Sequence, residues 1–184
     1  MDVKIDITGI VLQTPRLILR EWRESDLNDL YEYASVDGVG EMAGWKHHGS
    51  IEETREILKM FMTGKDVFAL QLKTGGKVIG SLGLHPPFVK DDALYKNVKV
   101  KEIGYALSRD YWGQGLMPEA VKAVIDYCFG IAGLDALTVG HFVGNNQSRR
   151  VIEKCGFTRA GSGEYFSKQL DRTFEEIYYI MYRQ

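Results

Sequence analysis

The stretch Tyr111-Trp112-Gly113-Gln114-Gly115-Leu116-Met117-Pro118-Glu119-Ala120 constrains the fold more than any other part of the chain. A strand-like run, Glu102-Ile103-Gly104-Tyr105-Ala106-Leu107, precedes it, and residues 121–129 behind it are apolar at helical spacing. The segment therefore reads as strand, glycine turn, helix start. The first N–H groups of a helix lack an intrahelical partner, and the macrodipole adds partial positive charge there. Two glycines keep Cβ atoms away from those groups, so an anion can approach closely. Pro118 suits the first helical position, where a missing N–H costs nothing, and it closes the run of donors. The amides of Gly113, Gln114, Gly115, Leu116 and Met117 are left as a cradle for a phosphate-bearing cofactor. The alternative is an ordinary tight turn that caps a helix.

Spacing narrows the choice of cofactor. A dinucleotide fingerprint needs a third glycine where this chain has Pro118, and a Walker-type loop needs a closing Gly-Lys-Ser/Thr that is absent. Composition excludes further classes. With 23 Lys and Arg against 25 Asp and Glu, the net charge of −2 gives no nucleic-acid footprint. No apolar run is long enough to span a membrane, and the N-terminus lacks the basic start and apolar stretch of a signal peptide, so a cytoplasmic protein is expected. Cys128 and Cys155 are expected as buried free thiols. His47 and His48 are adjacent, His85 and His141 isolated, and no metal site is expected. Without a linker or repeat, residues 1–184 read as one domain.

Taken in order, residues 16–22 read as the first strand, and Ser25 as the N-cap of a helix through Ala34. A glycine-rich loop, 37–49, carries Trp45, His47 and His48; Ser50-Ile51-Glu52-Glu53 is a capping box for a second helix ending near Thr63-Gly64. Strands are predicted over 67–72 and 77–84, joined by Thr74-Gly75-Gly76, then a loop over 91–99 and a strand over 100–107. A helix over 118–129, a strand over 136–143 and a helix over 147–154 follow, with Gly156 at C′. Strands over 157–166 and 174–182 close the chain. The fold class is α/β (mixed α+β).

Four stretches together carry a resemblance to a known family. They are Thr14-Pro15-Arg16-Leu17-Ile18-Leu19-Arg20, Glu102-Ile103-Gly104-Tyr105, the Trp-Gly-Gln-Gly turn, and Asn145-Asn146-Gln147-Ser148 leading to Glu153-Lys154-Cys155-Gly156-Phe157. In this order they resemble the GCN5-related N-acetyltransferases, in the branch of the ribosomal-protein N-terminal (RimJ/RimL-like) enzymes. The family's broad pattern places Gln or Arg where this chain has Trp112, and Gly or Ala where it has Met117. The resemblance implies a central, mostly antiparallel twisted sheet flanked by helices. It implies direct acetyl transfer from acetyl-CoA to a primary amine. The pantetheine arm would lie along Tyr105, Ala106 and Leu107, and the pyrophosphate on the turn from Trp112 to Met117. Asn145 would bind near the thiol end, Ser148 would return a proton to the sulfur, and Arg149 would help hold the nucleotide phosphates. Asn145 and Ser148 as plain helix caps, and Arg149 on a solvated helix face, are the alternatives.

By the same resemblance Glu102 is the candidate general base, set against a structural hydrogen-bonding role. A strong base is not required for every amine. An α-amino group, with a pKa of about 7.7–8.0, is about one-tenth neutral at pH 7, whereas lysine at ~10.4 is almost wholly protonated. A protein N-terminus is therefore the expected acceptor. A small-molecule amine (aminoglycoside, polyamine or amino acid) is the alternative, as is a non-catalytic acyl-CoA-binding protein. The resemblance also allows a homodimer through the two final strands.

Overall fold

The alternation of apolar side chains decides which face each strand buries. In the computed structural model, which describes residues 1–88 and 95–184, the chain begins with β1 (Leu12–Gln13), β2 (Leu17–Arg20), α1 (Leu27–Ala34) and α2 (Ile51–Gly64). It continues through β3 (Val67–Leu72), β4 (Val78–His85), β5 (Val100–Leu107), α3 (Leu116–Gly130) and β6 (Ala136–Phe142). The last elements are α4 (Asn146–Lys154), β7 (Thr158–Ser167) and β8 (Arg172–Tyr182). The strands form one sheet in the order β1-β2-β3-β4-β5-β6-β8-β7. Every pairing is antiparallel except β5 with β6.

Helices cover both faces. Phe68, Leu70, Ile103 and Leu107 pack with Leu116, Ala120, Val121 and Val124 of α3 and with Ile152 of α4. From the opposite face, Val67, Ala69, Val78 and Ala106 meet Leu27, Leu30 and Tyr33 of α1 and Leu58 of α2. Trp112 packs against both clusters, which ties the glycine turn to both layers.

The structure corrects three expectations. Residues 24–26 form a 3-10 turn, so α1 starts at Leu27 and Ser25 does not cap it. The reason is a buried pair: Asp26 takes both terminal nitrogens of Arg20, at 2.8 and 2.9 Å, and the Arg23 N–H at 2.8 Å. α3 begins two residues before Pro118, which is thus its third residue. Leu116 and Met117 are buried, and their packing draws the helix start forward to Gly115. The first predicted strand shortens to Leu17–Arg20, and a short β1 pairs beside it. Half of the capping box forms: Ser50 accepts from the Glu53 N–H, but the Glu53 carboxylate takes the N–H of Gly49 rather than that of Ser50. Gly156 takes the left-handed conformation expected at C′. Cys128 and Cys155 are buried free thiols. Part of the loop expected over 91–99 lies outside the described residues.

Candidate active site

The parallel pairing of β5 and β6 covers only Val100, Lys101 and Glu102 against Ala136, Leu137 and Thr138. Beyond it β5 stays bonded to β4 as far as Leu107, and β6 stays bonded to β8 as far as Phe142. The two strands therefore part at Glu102 and Thr138, and no described strand pairs with the β5 edge over 103–107. A backbone edge of this kind accepts an extended ligand as an added strand. Tyr105, Ala106 and Leu107 lie along it.

At the end of that edge stands the glycine turn. Gly113 (φ 75°) and Gly115 (φ 76°) are both left-handed, a conformation that side-chain-bearing residues adopt at a cost. The space over Gly113 is open, and a Cβ on Gly115 would meet only the Arg16 guanidinium, at 3.7 Å. The side chains of Leu116 and Met117 are buried, so only their backbone can serve a ligand. The first N–H turned back into the helix is that of Glu119, on the Gly115 carbonyl. The Trp112 indole donates to the Leu107 carbonyl at 2.8 Å, and the Gln114 amide to the Asp110 carbonyl at 3.0 Å. Both side chains thus shape the turn from within.

The turn has a brace that sequence reading missed. Arg16 places Nε and one terminal nitrogen on the Glu119 carboxylate, each at 2.7 Å, and the other terminal nitrogen on the Gln114 carbonyl at 2.9 Å. The Arg16 N–H and the Thr14 hydroxyl also donate to Glu119. Burial pushes the Glu119 carboxyl up, but these donors from Thr14 and Arg16 outweigh it and hold the carboxyl below its ordinary range. Thr14-Pro15-Arg16 therefore anchors the cradle from another part of the sheet.

Across the gap is the start of α4. The Asn145 side chain caps it by accepting from the Ser148 N–H at 3.1 Å, and donates to the Met42 carbonyl at 3.1 Å. The Ser148 hydroxyl lies 2.8 Å from the Tyr105 hydroxyl. Burial pushes the Tyr105 phenol well up, so it stays protonated at neutral pH. Arg149 is exposed and 3.9 Å from Glu153. The Tyr105–Ser148 pair joins β5 to α4, and sequence periodicity carries no signal for it.

Glu102 sits on the other face, where the strands part. One carboxylate oxygen accepts the Phe88 N–H at 2.9 Å and faces the Thr138 hydroxyl at 3.4 Å. Burial raises its pKa, partly offset by these two donors. His85 pairs with Glu102 across β4 and β5, and its ring fills the space left by Gly83 and Gly104. Glu176 of β8 faces the same side, and sequence reading missed it; an acidic residue between Phe174 and Tyr178 in a strand was the available signal. The wall opposite is the loop after α1. Its Gly44 carbonyl accepts from Ser167, and its Lys46 N–H donates to Gln169. In that loop the Trp45 ring lies tilted against buried His48, and His47 contacts Glu41 at 2.8 Å. Asp37, Glu41 and His47 each bring one donor atom within 4.8 Å of the others, a grouping that the histidine count alone overlooked. Glu41 is already engaged there: burial raises it, but the backbone and ring of His47 bring it down to about 2.

A family model described as the acetyltransferase (GNAT) domain matches residues 16–158. The chain is similar to the uncharacterized N-acetyltransferase YoaA of Bacillus subtilis, 27% identical over 156 residues that cover 82% of this chain and 84% of YoaA. Among solved structures it resembles a GNAT-family acetyltransferase from Bacillus anthracis, with a TM-score of 0.82 at 23% identity, covering 95% of this chain and 99% of that one. It also resembles the ribosomal-protein-S5-alanine acetyltransferase from Vibrio fischeri, with a TM-score of 0.73 at 18% identity and coverage of 95% and 97%.

Proposed function

The chain belongs to the GCN5-related N-acetyltransferase (GNAT) family, and from that premise we propose that it acetylates the α-amino group of a protein N-terminus. Its activity class is acetyl-CoA-dependent N-acetyl transfer. The observation that carries the finer reading is Glu102, a half-buried carboxyl of raised pKa at the point where β5 and β6 part. A carboxylate so placed can draw a proton from an α-ammonium. Lysine is less acidic by about 2.5 pH units, which adds about 3.4 kcal/mol to the same proton transfer. The shared fold of the Vibrio fischeri ribosomal-protein-S5-alanine acetyltransferase supports a protein acceptor over a small amine.

In this reading the pantetheine arm extends β5 along Tyr105, Ala106 and Leu107, and a backbone N–H near Ala106 polarises the thioester carbonyl. The pyrophosphate lies on the amides of Gly113, Gln114, Gly115, Leu116 and Met117, with Arg149 on the nucleotide side. Charge-assisted hydrogen bonds of about 1.5–3 kcal/mol each outweigh the helix dipole's ~0.3–1 kcal/mol, so the amides dominate. Ser148, held by Tyr105, returns a proton to the departing sulfur. Asn145 sets the start of α4 and the position of Met42.

The test is calorimetry with acetyl-CoA, CoA and NAD, followed by an acceptor screen. The screen compares short peptides with free N-termini, the same peptides N-blocked but carrying lysine, and polyamines and aminoglycosides. Turnover concentrated on free N-termini is expected. Turnover confined to small amines, or equal on blocked lysine peptides, overturns the reading.

A further inference from the structure

The face of the sheet that carries Glu102 holds a second carboxylate. Side chains on a strand alternate, so Glu102, Thr138, Gly140, Glu176 and Tyr178 share one face across β5, β6 and β8. Glu102 stands over Thr138, at 3.4 Å from its hydroxyl. Glu176 stands over Gly140: a Cβ there would lie 2.2 Å from a Glu176 carboxylate oxygen, so the glycine leaves room for that group. Thr138 and Gly140 are two residues apart on β6, about 7 Å along a strand. The two carboxylates are thus neighbours, directly beside the opening between β5 and β6.

We propose that Glu102 and Glu176 act as a coupled carboxylate pair at the acceptor site, in which the Glu102 charge attracts the acceptor ammonium and tunes its neighbour, and Glu176 is the group that takes the proton the ammonium must lose. This rests on the reading above that an amine enters from this face. The Glu102 oxygen that faces Thr138 already accepts the Phe88 N–H, which fixes its position, while Glu176 shares its face of β8 with Tyr178, two residues on. Tyr178 is itself stacked on Phe88, ring centroids 4.3 Å apart, so one aromatic pair supports both acids. Two neighbouring carboxylates that are partly shielded from water do not both ionise readily. Burial, and next the charge of Glu102, push the Glu176 carboxyl up to about 7, although Tyr178 pulls it down. A base poised there matches an α-ammonium at about 7.7–8.0.

Each element packed around the pair brings its own charges. β5 contributes Glu102, and β4 contributes His85 beyond it. β8 contributes Tyr178, and β6 offers only the uncharged Thr138 and Gly140. β7 turns Gly163 and Tyr165 to this face, and the loop packed on β5 and β6 carries Glu41, Lys46 and His47.

In the transfer step the ammonium gives one proton to the Glu176 carboxylate, and the freed nitrogen pair forms the N–C bond to the thioester carbonyl carbon. The C–S bond breaks and sulfur leaves with its electron pair. Of the three protons on nitrogen, one stays on the amide, one ends on the thiol sulfur, and one passes through the carboxylate pair to water.

The experiment measures kcat/KM against pH for the wild type, Glu176→Gln, Glu102→Gln and Gly140→Ala, with acetyl-CoA affinity and melting temperature in parallel. Wild-type turnover of a free N-terminal peptide must be present first; its absence counts against the acceptor reading and leaves the pair to be assayed on whichever amine is turned over. Glu176→Gln is expected to lower kcat/KM about 10²-fold, to remove the limb near pH 7 and to leave acetyl-CoA affinity unchanged. Glu102→Gln is expected to move that limb to lower pH, because the neighbouring charge is gone. Gly140→Ala keeps both acids but displaces Glu176, and should lower kcat/KM even if Glu176→Gln fails to fold. A Glu176→Gln enzyme with wild-type rate and pH profile, or a Glu102→Gln profile with the limb unmoved, overturns the proposal.

Discussion

Arg16 and Glu119 lie 103 residues apart in the chain, yet Arg16 joins Glu119 through its backbone N–H and guanidinium while also holding the Gln114 carbonyl at 2.9 Å. One side chain thus links the segment before β2, the glycine turn and the first turn of α3. Glu119→Gln keeps the shape but loses the charge on which Arg16 is held. Acetyl-CoA affinity should fall about tenfold, the loss of one charge-assisted contact in positioning the turn. Calorimetry checks this, and an unchanged affinity would show that the turn holds its shape without the brace.

Gly115→Val tests the cradle itself. The residue is left-handed at φ 76° and its Cβ would point into nearly empty space. A valine there strains the backbone by ~1–2 kcal/mol, which a chain of this size tolerates with a fall of a few degrees in Tm. An anion on the neighbouring amides, however, would meet the new methyl groups. Acetyl-CoA binding should drop at least about 10²-fold while the circular dichroism spectrum is kept, the equivalent of about 2.7 kcal/mol.

The Tyr105–Ser148 pair separates proton delivery from binding. Ser148→Ala should lower kcat about 10–10²-fold with acetyl-CoA affinity within about threefold of wild type. Tyr105→Phe removes the partner at 2.8 Å and should give a smaller fall in the same direction. Pre-steady-state acetyl transfer distinguishes this from a defect in product release. A loss of affinity with kcat intact would make Ser148 a contact to the cosubstrate rather than an acid.

Local signals made much of the fold legible. Val100–Leu107 reads as a strand, Ser50 caps α2, and Gly113 and Gly115 mark the turn, because each depends on residues near it in the chain. Long-range pairs were hidden for the complementary reason. Ser25 looked like a cap since nothing local shows that Arg20 needs Asp26. The Arg16–Glu119 brace, the Tyr105–Ser148 contact and the meeting of Glu102 with Glu176 arise only when distant strands and helices are laid side by side. The start of α3 was misplaced to Pro118 because the burial of Leu116 and Met117 is a tertiary fact.

The Arg20–Asp26 pair predicts a stability effect away from the site. Both residues are about 95% buried, and Arg20 also donates to Gln71 and to the Glu21 carbonyl. Asp26→Ala leaves a buried guanidinium without its counter-charge and frees the Arg23 N–H. Breaking such a pair costs about 3–5 kcal/mol, a fall in Tm on the order of 10 °C. Chemical denaturation should show the loss, and acetyl-CoA affinity of the folded fraction should be unaffected.

The carboxylate pair should also leave a mark on stability. Glu176 is held up at about 7 against an ordinary 4.5, so between those values the folded state binds more protons than the unfolded chain. Stability from this group is therefore complete below about pH 4.5 and is lost as pH rises through about 7. Partial exposure of the side chain reduces the effect, and the direction is the diagnostic. Glu176→Gln removes the ionisation altogether. Its Tm should exceed that of the wild type at pH 8 and converge with it at pH 4, while its turnover at pH 8 is poorer. A variant that is at once more stable and less active in the same pH range is the signature of an acid kept in place for its chemistry. Equal destabilisation at both pH values would instead assign Glu176 to packing over Gly140.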